Sequence, residues 1–169
     1  KDKVFILGGQ YQNYNGNTLV DGSSSNTIYI MNIIDSVNGL APTVEFSLLG
    51  YLPIEIYGAN AWIYANRIYC ASGWSNQSGT ATYINNGVYA EIYEEIDSSG
   101  NSNISLSEWV ETGVGSVPTR HAAGIIQTKS RIYWIGGHNG TAYQNSIIYK
   151  ELPNQFDENG NIDYDSNII

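Results

Sequence analysis

An internal repeat constrains the fold of this chain more than any other feature of its sequence. Three apolar segments end in glycines that are evenly spaced along the chain, namely Gly9, Gly73 and Gly137. A second landmark, an apolar residue followed by tyrosine, also recurs at a constant interval, at Tyr29, Tyr89 and Tyr149. A third pair, Phe46 and Trp109, is separated by nearly the same interval. Because independent landmarks keep nearly one period, the sequence predicts a chain of repeated structural units.

Within each unit the apolar segments are typical of β-strands. They are short, rich in Ile, Val, Tyr and Trp, and bounded by Gly, Asn, Asp and Ser. No segment carries an apolar stripe at helical spacing with matching caps. The third unit predicts strands at 122–127, 131–136 and 146–151, and the unit before it predicts a fourth strand near 105–110. We therefore expect an all-β chain built from units of four antiparallel strands.

The third unit resembles a kelch repeat. Pro118, Arg120 and small residues precede an apolar strand, a turn and a second apolar strand that closes on Gly136-Gly137. Trp109 and Tyr149 match the spaced aromatic positions of that family. The middle unit departs from the pattern, since it has Ser72-Gly73 for the glycine pair and Tyr57 at the position of His121. The resemblance spans nearly the whole chain and implies β-propeller blades of the galactose-oxidase type.

The repeat divides the 169 residues into about three blades. The first blade, 1–52, lacks its first strand; the second is 53–117; the third is 118–169, with a marginal fourth strand. Propellers close with about four to eight blades, and an open arc would expose sheet edges and blade faces. We therefore expect a partial propeller that is completed by further chain or by other copies. The start at the second strand of a blade favours a fragment of a longer polypeptide.

Charge and composition exclude several classes of function. The chain has 16 acidic against 7 basic residues, a net charge of −9, so nucleic acid is not its expected partner. Its apolar segments are too short for a membrane-spanning helix, so we expect no membrane insertion. Cys70 is the one cysteine, which excludes an internal disulfide and a Cys-rich zinc site. We expect no cofactor and no metal.

The long loops are the expected binding surface. In a four-stranded blade, the connections 2–3 and 4–1 emerge on one face, and they carry aromatic and amide side chains here. Aromatic rings stack on the apolar faces of sugars, while amides read hydroxyl groups. For each single residue, packing against the adjacent blade is the plainer alternative. The candidate ligand-binding residues are Tyr11, Asn13, Tyr14, Trp74, Asn76, His138, Asn139 and Tyr143.

The alternative is an enzyme. A sugar mutarotase or another kelch-type sugar-processing enzyme would need a convergent polar group, and the candidates are Glu55, Arg120 and His121. Some kelch-type propellers are copper oxidases with a Tyr–Cys link, but Cys70 lies inside a predicted packing strand and does not match that arrangement. The plainer expectation for Arg120 is a structural pairing with a backbone carbonyl or a carboxylate.

These observations predict a non-catalytic recognition or structural module of a surface-exposed assembly. It would bind a glycan or a protein surface through its long loops. Scarce Lys and Arg with abundant Asn, Ser, Gly and Tyr are typical of extracellular bacterial proteins and of phage tail or receptor-binding proteins. The expected location is therefore extracellular or on a virion surface. A third possibility is purely architectural, with the blades packing against the rest of a propeller or against other subunits.

Overall fold

A computed structural model describes residues 3–15, 18–34, 43–76, 82–112 and 120–152, with the backbone alone at 11–15, 18–22 and 34. Every regular element in these ranges is a β-strand, and all strand pairs are antiparallel. The prediction of an all-β chain is confirmed. The strands form three separate sheets, and the described residues close no barrel or propeller.

Sheet 1 contains three long strands at the start of the chain. Its strands are β1 (Lys3–Asn15), β2 (Thr18–Ile34) and β3 (Thr43–Ile56), in that spatial order. Alternating Val, Phe, Ile and Leu in these strands put one apolar row on each face.

Sheet 2 follows and is the central layer. Its spatial order is β4 (Asn60–Tyr64), β5 (Arg67–Ser75), β6 (Thr82–Ile96) and β7 (Ser102–Leu106), and β8 (Val110–Glu111) also pairs with β6. The predicted single fourth strand near 105–110 is thus divided into β7 and β8. Between β7 and β8, Ser107 still binds Glu91 of β6: its N–H donates to the Glu91 carbonyl at 3.0 Å, and its hydroxyl accepts the Glu91 N–H at 2.9 Å.

Sheet 3 contains β9 (Gly124–Gln127), β10 (Arg131–Ile135) and β11 (Ile147–Glu151), with β10 in the middle. All three strands overlap those predicted for the third unit. The extended segments Asn60–Tyr64 and Gly124–Gln127 contact each other across the two sheets, so equivalent first strands lie side by side.

The three sheets share a backbone irregularity at the repeated glycines, which lie within β1, within β5 and directly after β10. Gly8 and Gly9, Ser72 and Gly73, and Gly136 and Gly137 all have positive φ. The β1–β2 and β5–β6 registers shift at this point, between Leu7 and Gly9 and between Ala71 and Gly73. A bulge of this kind redirects the strand that carries it. The repeat in the sequence is therefore a repeat in backbone conformation.

Strand register shows that Tyr29 is not the structural equivalent of Tyr89 and Tyr149, although the three tyrosines are evenly spaced in the sequence. Tyr69 pairs with Tyr89 and Tyr133 pairs with Tyr149, as a common period requires. In sheet 1, however, Tyr29 pairs with Ile6. The sheet 1 register is displaced by one residue, which places Tyr29 on the opposite face of its sheet.

Two apolar clusters hold the three sheets together. The cluster between sheets 1 and 2 has at its centre Ile28, Leu52, Ile56, Cys70 and Val88. The cluster between sheets 2 and 3 has Trp62, Tyr64, Tyr69, Ala71, Ile132, Trp134 and Leu152. In this second cluster Trp62 stacks on Tyr69 with ring centroids 5.2 Å apart and meets Trp134 edge to face at 5.6 Å. Sheet 2 is thus covered on both faces.

Burial also determines the chemistry of the single thiol. Cys70 lies in β5, is 2 % exposed and points into the cluster shared with sheet 1. Loss of hydration raises the pKa of the Cys70 thiol to about 12. Cys70 therefore acts as a small apolar side chain. Among the described residues no helix is long and apolar enough to span a membrane.

Candidate functional site

Five rings form a continuous band at one end of sheets 2 and 3, which we call the aromatic row. Trp74 lies one residue before the end of β5, and its cross-strand neighbour Tyr83 is the second residue of β6. His121 precedes β9, and His138 and Tyr143 lie in the connection between β10 and β11. All five positions therefore lie where the longer connections leave the sheets, which is the end that the sequence predicted for binding.

The rings of the aromatic row meet mostly edge to face. Trp74 meets Tyr83 at a centroid distance of 5.5 Å and His121 at 5.1 Å, with interplanar angles of 74° and 81°. His121 lies 5.0 Å from His138, and His138 lies 5.0 Å from Tyr143. Edge-to-face contacts of this kind fix ring orientation and are worth about 0.5–1.5 kcal/mol per pair beyond area burial.

Backbone pairing repeats the same arrangement in both sheets. Tyr57 and Trp74 exchange two N–H···O bonds of 2.9 Å, and His121 and His138 exchange two of 3.0 and 3.1 Å. The first pair precedes the second by one full repeat, so Tyr57 holds the position of His121, as the sequence indicated. The ring pairs Trp74–Tyr83 and His138–Tyr143 are likewise equivalent between the two sheets.

Tyr83 is a member of the aromatic row that was not among the residues predicted from the sequence. Its ring contacts both Trp74 and His121, at 5.5 and 5.6 Å. Burial is the largest cause and raises the pKa of the Tyr83 phenol, against the opposing charge of Arg120. Its signal in the sequence was present, because Tyr83 precedes Tyr143 by the same interval that separates Tyr89 from Tyr149.

A hydrogen bond sets the protonation state of His121. The indole N–H of Trp74 donates to His121 Nε2 at 2.6 Å, so that nitrogen is an acceptor and the neutral ring carries its proton on Nδ1. Burial, and secondly the charge of His138, lower the pKa of the His121 imidazole. Within the described ranges, the buried Nδ1 has no hydrogen-bond partner.

The β10–β11 connection is shaped by its own side chains. His138 Nδ1 accepts the Gly140 N–H at 3.0 Å, and Asn139 Oδ1 accepts the N–H groups of Thr141 and Ala142 at 3.0 and 2.9 Å. The carbonyl oxygen of Asn139 therefore belongs to the turn, while its amide nitrogen is a donor on an exposed residue. Tyr143 is 89 % exposed and is the most accessible ring of the aromatic row.

A second polar contact lies at the same end, between sheets 1 and 2. The Asn76 N–H donates to Ser24 Oγ at 3.0 Å, and Ser24 Oγ donates to Glu55 Oε2 at 3.2 Å. Ser24 is buried, and Asn76 follows Trp74 closely in the chain. The contact ties the end of β5 to sheet 1 and so helps to place Trp74.

Three predicted ligand-binding residues lie on β1. The prediction that Tyr11, Asn13 and Tyr14 lie in a long loop is wrong. Their backbone continues β1 in an extended hairpin, where they pair with Ser23, Asp21 and Leu19 of β2. Cross-strand pairing satisfies the backbone groups of a polar segment that the sequence alone marks as a loop. The side chains of all three lie outside the described ones.

The structure does not join Glu55, Arg120 and His121 into a reactive group. Arg120 is 7 % exposed; its guanidinium donates to the carbonyl of Gly136 at 3.1 Å and to the carbonyl and hydroxyl of Ser146 at 2.7 Å each. Among the described residues, no hydrogen bond or ion pair joins any two of the three candidates. Arg120 thus closes the β10–β11 connection by binding its backbone.

In the part of the chain that the structure describes, no group of three or more His, Cys, Asp or Glu side chains is placed to hold a metal ion. The sequence of the chain matches no protein-family model and no curated protein.

Proposed function

We propose that this protein is a non-catalytic recognition module that binds a neutral glycan at the aromatic row. The observation that carries the proposal is the accessible Tyr143 ring, 89 % exposed, at the end of a band of rings that are fixed by mutual contacts. An exposed ring held in one orientation loses little conformational entropy when a ligand stacks on it.

The electrostatics of the aromatic row favour an uncharged ligand. Burial lowers the pKa of His121, whose neutral ring accepts the Trp74 N–H, and the chain carries a net charge of −9, which repels acidic ligands. Sugar C–H faces stack on aromatic rings without any net charge. The amide nitrogen of Asn139 supplies a hydrogen-bond donor beside His138 and Tyr143, as the recognition of hydroxyl groups requires.

We further propose that the three sheets are successive blades of a kelch-like propeller. The shared positive-φ pairs, the repeated Tyr57–Trp74 and His121–His138 bridges and the side-by-side first strands support this relation. On this proposal the protein belongs to a surface-exposed assembly, such as a bacterial extracellular protein or a phage tail, and is located outside the cell or on a virion. Its composition supports that location.

A panel of immobilised neutral oligosaccharides, probed with the labelled protein, tests the proposed function. We expect a defined subset to bind, and Tyr143→Ala to weaken that binding by about tenfold, the size of one lost aromatic contact. Tyr93→Ala is the matched control, because Tyr93 is also exposed but lies towards the far end of β6 from Tyr83, away from the aromatic row. Equal binding by Tyr143→Ala and the original protein would contradict the proposal.

Catalysis is tested on the same sugars. NMR of a freshly dissolved reducing sugar measures the rate at which its anomers interconvert, and we expect the protein to leave that rate unchanged. Acceleration that Arg120→Lys abolishes in a folded protein would establish the mutarotase alternative instead.

A further inference from the structure

One side-chain pattern occurs on two sheets in nearly identical geometry. On sheet 2 the Arg67 guanidinium lies 4.8 Å from the centroid of the Tyr89 ring and 3.2 Å from a Glu91 oxygen. On sheet 3 the Arg131 guanidinium lies 4.6 Å from the Tyr149 ring and 2.7 Å from a Glu151 oxygen. The tyrosine pairs agree as well, with Tyr69–Tyr89 at 5.6 Å and Tyr133–Tyr149 at 5.8 Å.

The two copies of this pattern differ in what covers them. On sheet 2, Tyr69 is 2 % exposed because Ile132 and Trp134 of sheet 3 pack over it. On sheet 3, the equivalent of Tyr69 is Tyr133, which is half-buried, and Tyr149 is 55 % exposed where its sheet 2 equivalent Tyr89 is half-buried. We call this surface of sheet 3 the forward face; strand pairing places on it Ile126, Tyr133, Ile135, Ile147 and Tyr149. Contiguous exposed apolar surface of this kind marks an interaction site.

Sheet 1, at the other end of the molecule, exposes the opposite kind of face, which is the one that covers a neighbouring sheet. Val4 and Ile6 stand in the same positions relative to Gly8 as Ile132 and Trp134 do relative to Gly136. The positions through which sheet 3 covers sheet 2 are therefore also present on sheet 1, where Val4 and Ile6 are 40 % and 41 % exposed. We call this surface the back face; register places on it Val4, Ile6, Tyr29, Val44, Phe46 and Leu48.

We propose that the forward face of one copy of this chain packs on the back face of a second copy. The contact would continue the packing already present between sheets 2 and 3. Each copy then contributes one face of each kind, so the association is head to tail rather than between identical surfaces. This proposal goes beyond glycan recognition and involves none of the residues of the aromatic row.

Charged substitutions on each face test the contact. Multi-angle light scattering should show that the original protein forms assemblies of two or more copies whose mass rises with protein concentration. We expect Tyr149→Glu on the forward face, and Phe46→Glu on the back face, each to yield monomers, because either buries an unpaired carboxylate in the contact. Tyr143→Glu and Ile96→Glu, at exposed positions off both faces, should associate like the original protein.

Mixing the two monomeric variants tests the head-to-tail geometry. The Tyr149→Glu copy keeps its back face and the Phe46→Glu copy keeps its forward face, so a mixture should give a dimer that stops at two copies. Circular dichroism confirms that each variant is folded, and Ile147→Glu and Leu48→Glu provide second variants of the two faces. An original protein that is monomeric at every concentration, or a mixture that stays monomeric, would overturn the proposal. Unchanged association of the face variants would overturn it equally.

Discussion

At the residue scale, the contact between Trp74 and His121 makes the aromatic row sensitive to acid. The His121 ring accepts the indole N–H through its unprotonated Nε2, so a proton on that nitrogen removes the hydrogen bond. The folded state therefore binds this proton less readily than the unfolded chain does, whose histidine has a pKa near 6.5. Stability from this group is present above that value and decreases as the pH falls below it.

The first prediction concerns this pH dependence. We expect the free energy of unfolding to decrease as the pH falls from 6.5 to the onset of carboxylate titration. His121→Gln should flatten this decrease, because the amide oxygen of glutamine still accepts the indole N–H but does not titrate. Urea denaturation at several pH values measures it. His138→Gln should reduce the slope without abolishing it, since burial is the larger cause of the shift and the His138 charge the smaller. An unchanged slope in His121→Gln would contradict the assignment.

A second residue, Ala122, stores backbone strain. Its φ is +49°, a conformation that costs an L-residue about 1–2 kcal/mol, and its side chain is exposed. We expect Ala122→Gly to raise the free energy of unfolding by up to about 1 kcal/mol, a gain of about 2–4 °C in Tm by calorimetry. Ala123→Gly is the matched control and should lower Tm, because Ala123 packs against the cluster between sheets 2 and 3. A lower Tm for both variants would contradict the assignment of backbone strain to Ala122.

At the scale of the element, the bulge in β5 puts Gly73 where sheets 1 and 2 approach closely. Gly73 and Gly9 have almost the same φ, +124° and +121°. A Cβ on Gly73 would lie 2.9 Å from both Ile56 Cγ1 and the Tyr57 carbonyl oxygen, whereas one on Gly9 would have no atom within 4 Å. A comparison of variants at the two glycines therefore distinguishes the cost of backbone strain from the cost of steric contact.

We therefore expect Gly73→Ala to destabilise the protein more than Gly9→Ala does. Both variants incur a backbone cost of about 1–3 kcal/mol at this φ. Gly73→Ala additionally forces β3 away from β5, which adds about 1–3 kcal/mol as in an overpacked core. Urea denaturation of the two variants measures the difference. Equal losses would show that the gap between the sheets accommodates a methyl group.

The elements differ in how well the sequence predicts them. The end of β10 was predictable, because its apolar segment stops at Gly136, a residue able to adopt positive φ. The end of β1 was not, because its glutamine and asparagine residues are typical of loops and yet pair with β2 there. Composition does not reveal such pairing, since the partner strand supplies the hydrogen bonds.

The candidate site was predictable in part for a similar reason. Trp74, His138 and Tyr143 could be found because they follow the repeated glycines. Tyr83 was missed although it precedes Tyr143 by the repeat interval, because its place beside Trp74 follows from cross-strand pairing. The face on which Tyr29 lies was missed too, since it depends on a one-residue displacement of register.

At the scale of the whole molecule, each outer sheet packs against the central one through its own cluster. In such stacks, stability is close to a sum of terms between neighbours. The two clusters should therefore respond separately to truncation.

Hydrogen exchange with mass spectrometry tests this independence. Trp134→Ala, which costs about 3–5 kcal/mol for a buried aromatic residue, should accelerate exchange in β9–β11 more than in β1–β3. Ile28→Ala, in the cluster between sheets 1 and 2, should do the reverse. Uniform acceleration across all three sheets in both variants would show instead that the molecule opens as one unit.

The burial of Cys70 has a practical consequence for experiments on the intact molecule. A thiol that is 2 % exposed and whose pKa is about 12 presents almost no thiolate to alkylating reagents at neutral pH. The natural chain can therefore serve as a background for site-specific labelling without removal of its own cysteine. A cysteine introduced at Ser99, in the exposed turn between β6 and β7, would carry the label alone. Distances between spin labels or fluorophores could then be measured in the otherwise unaltered protein.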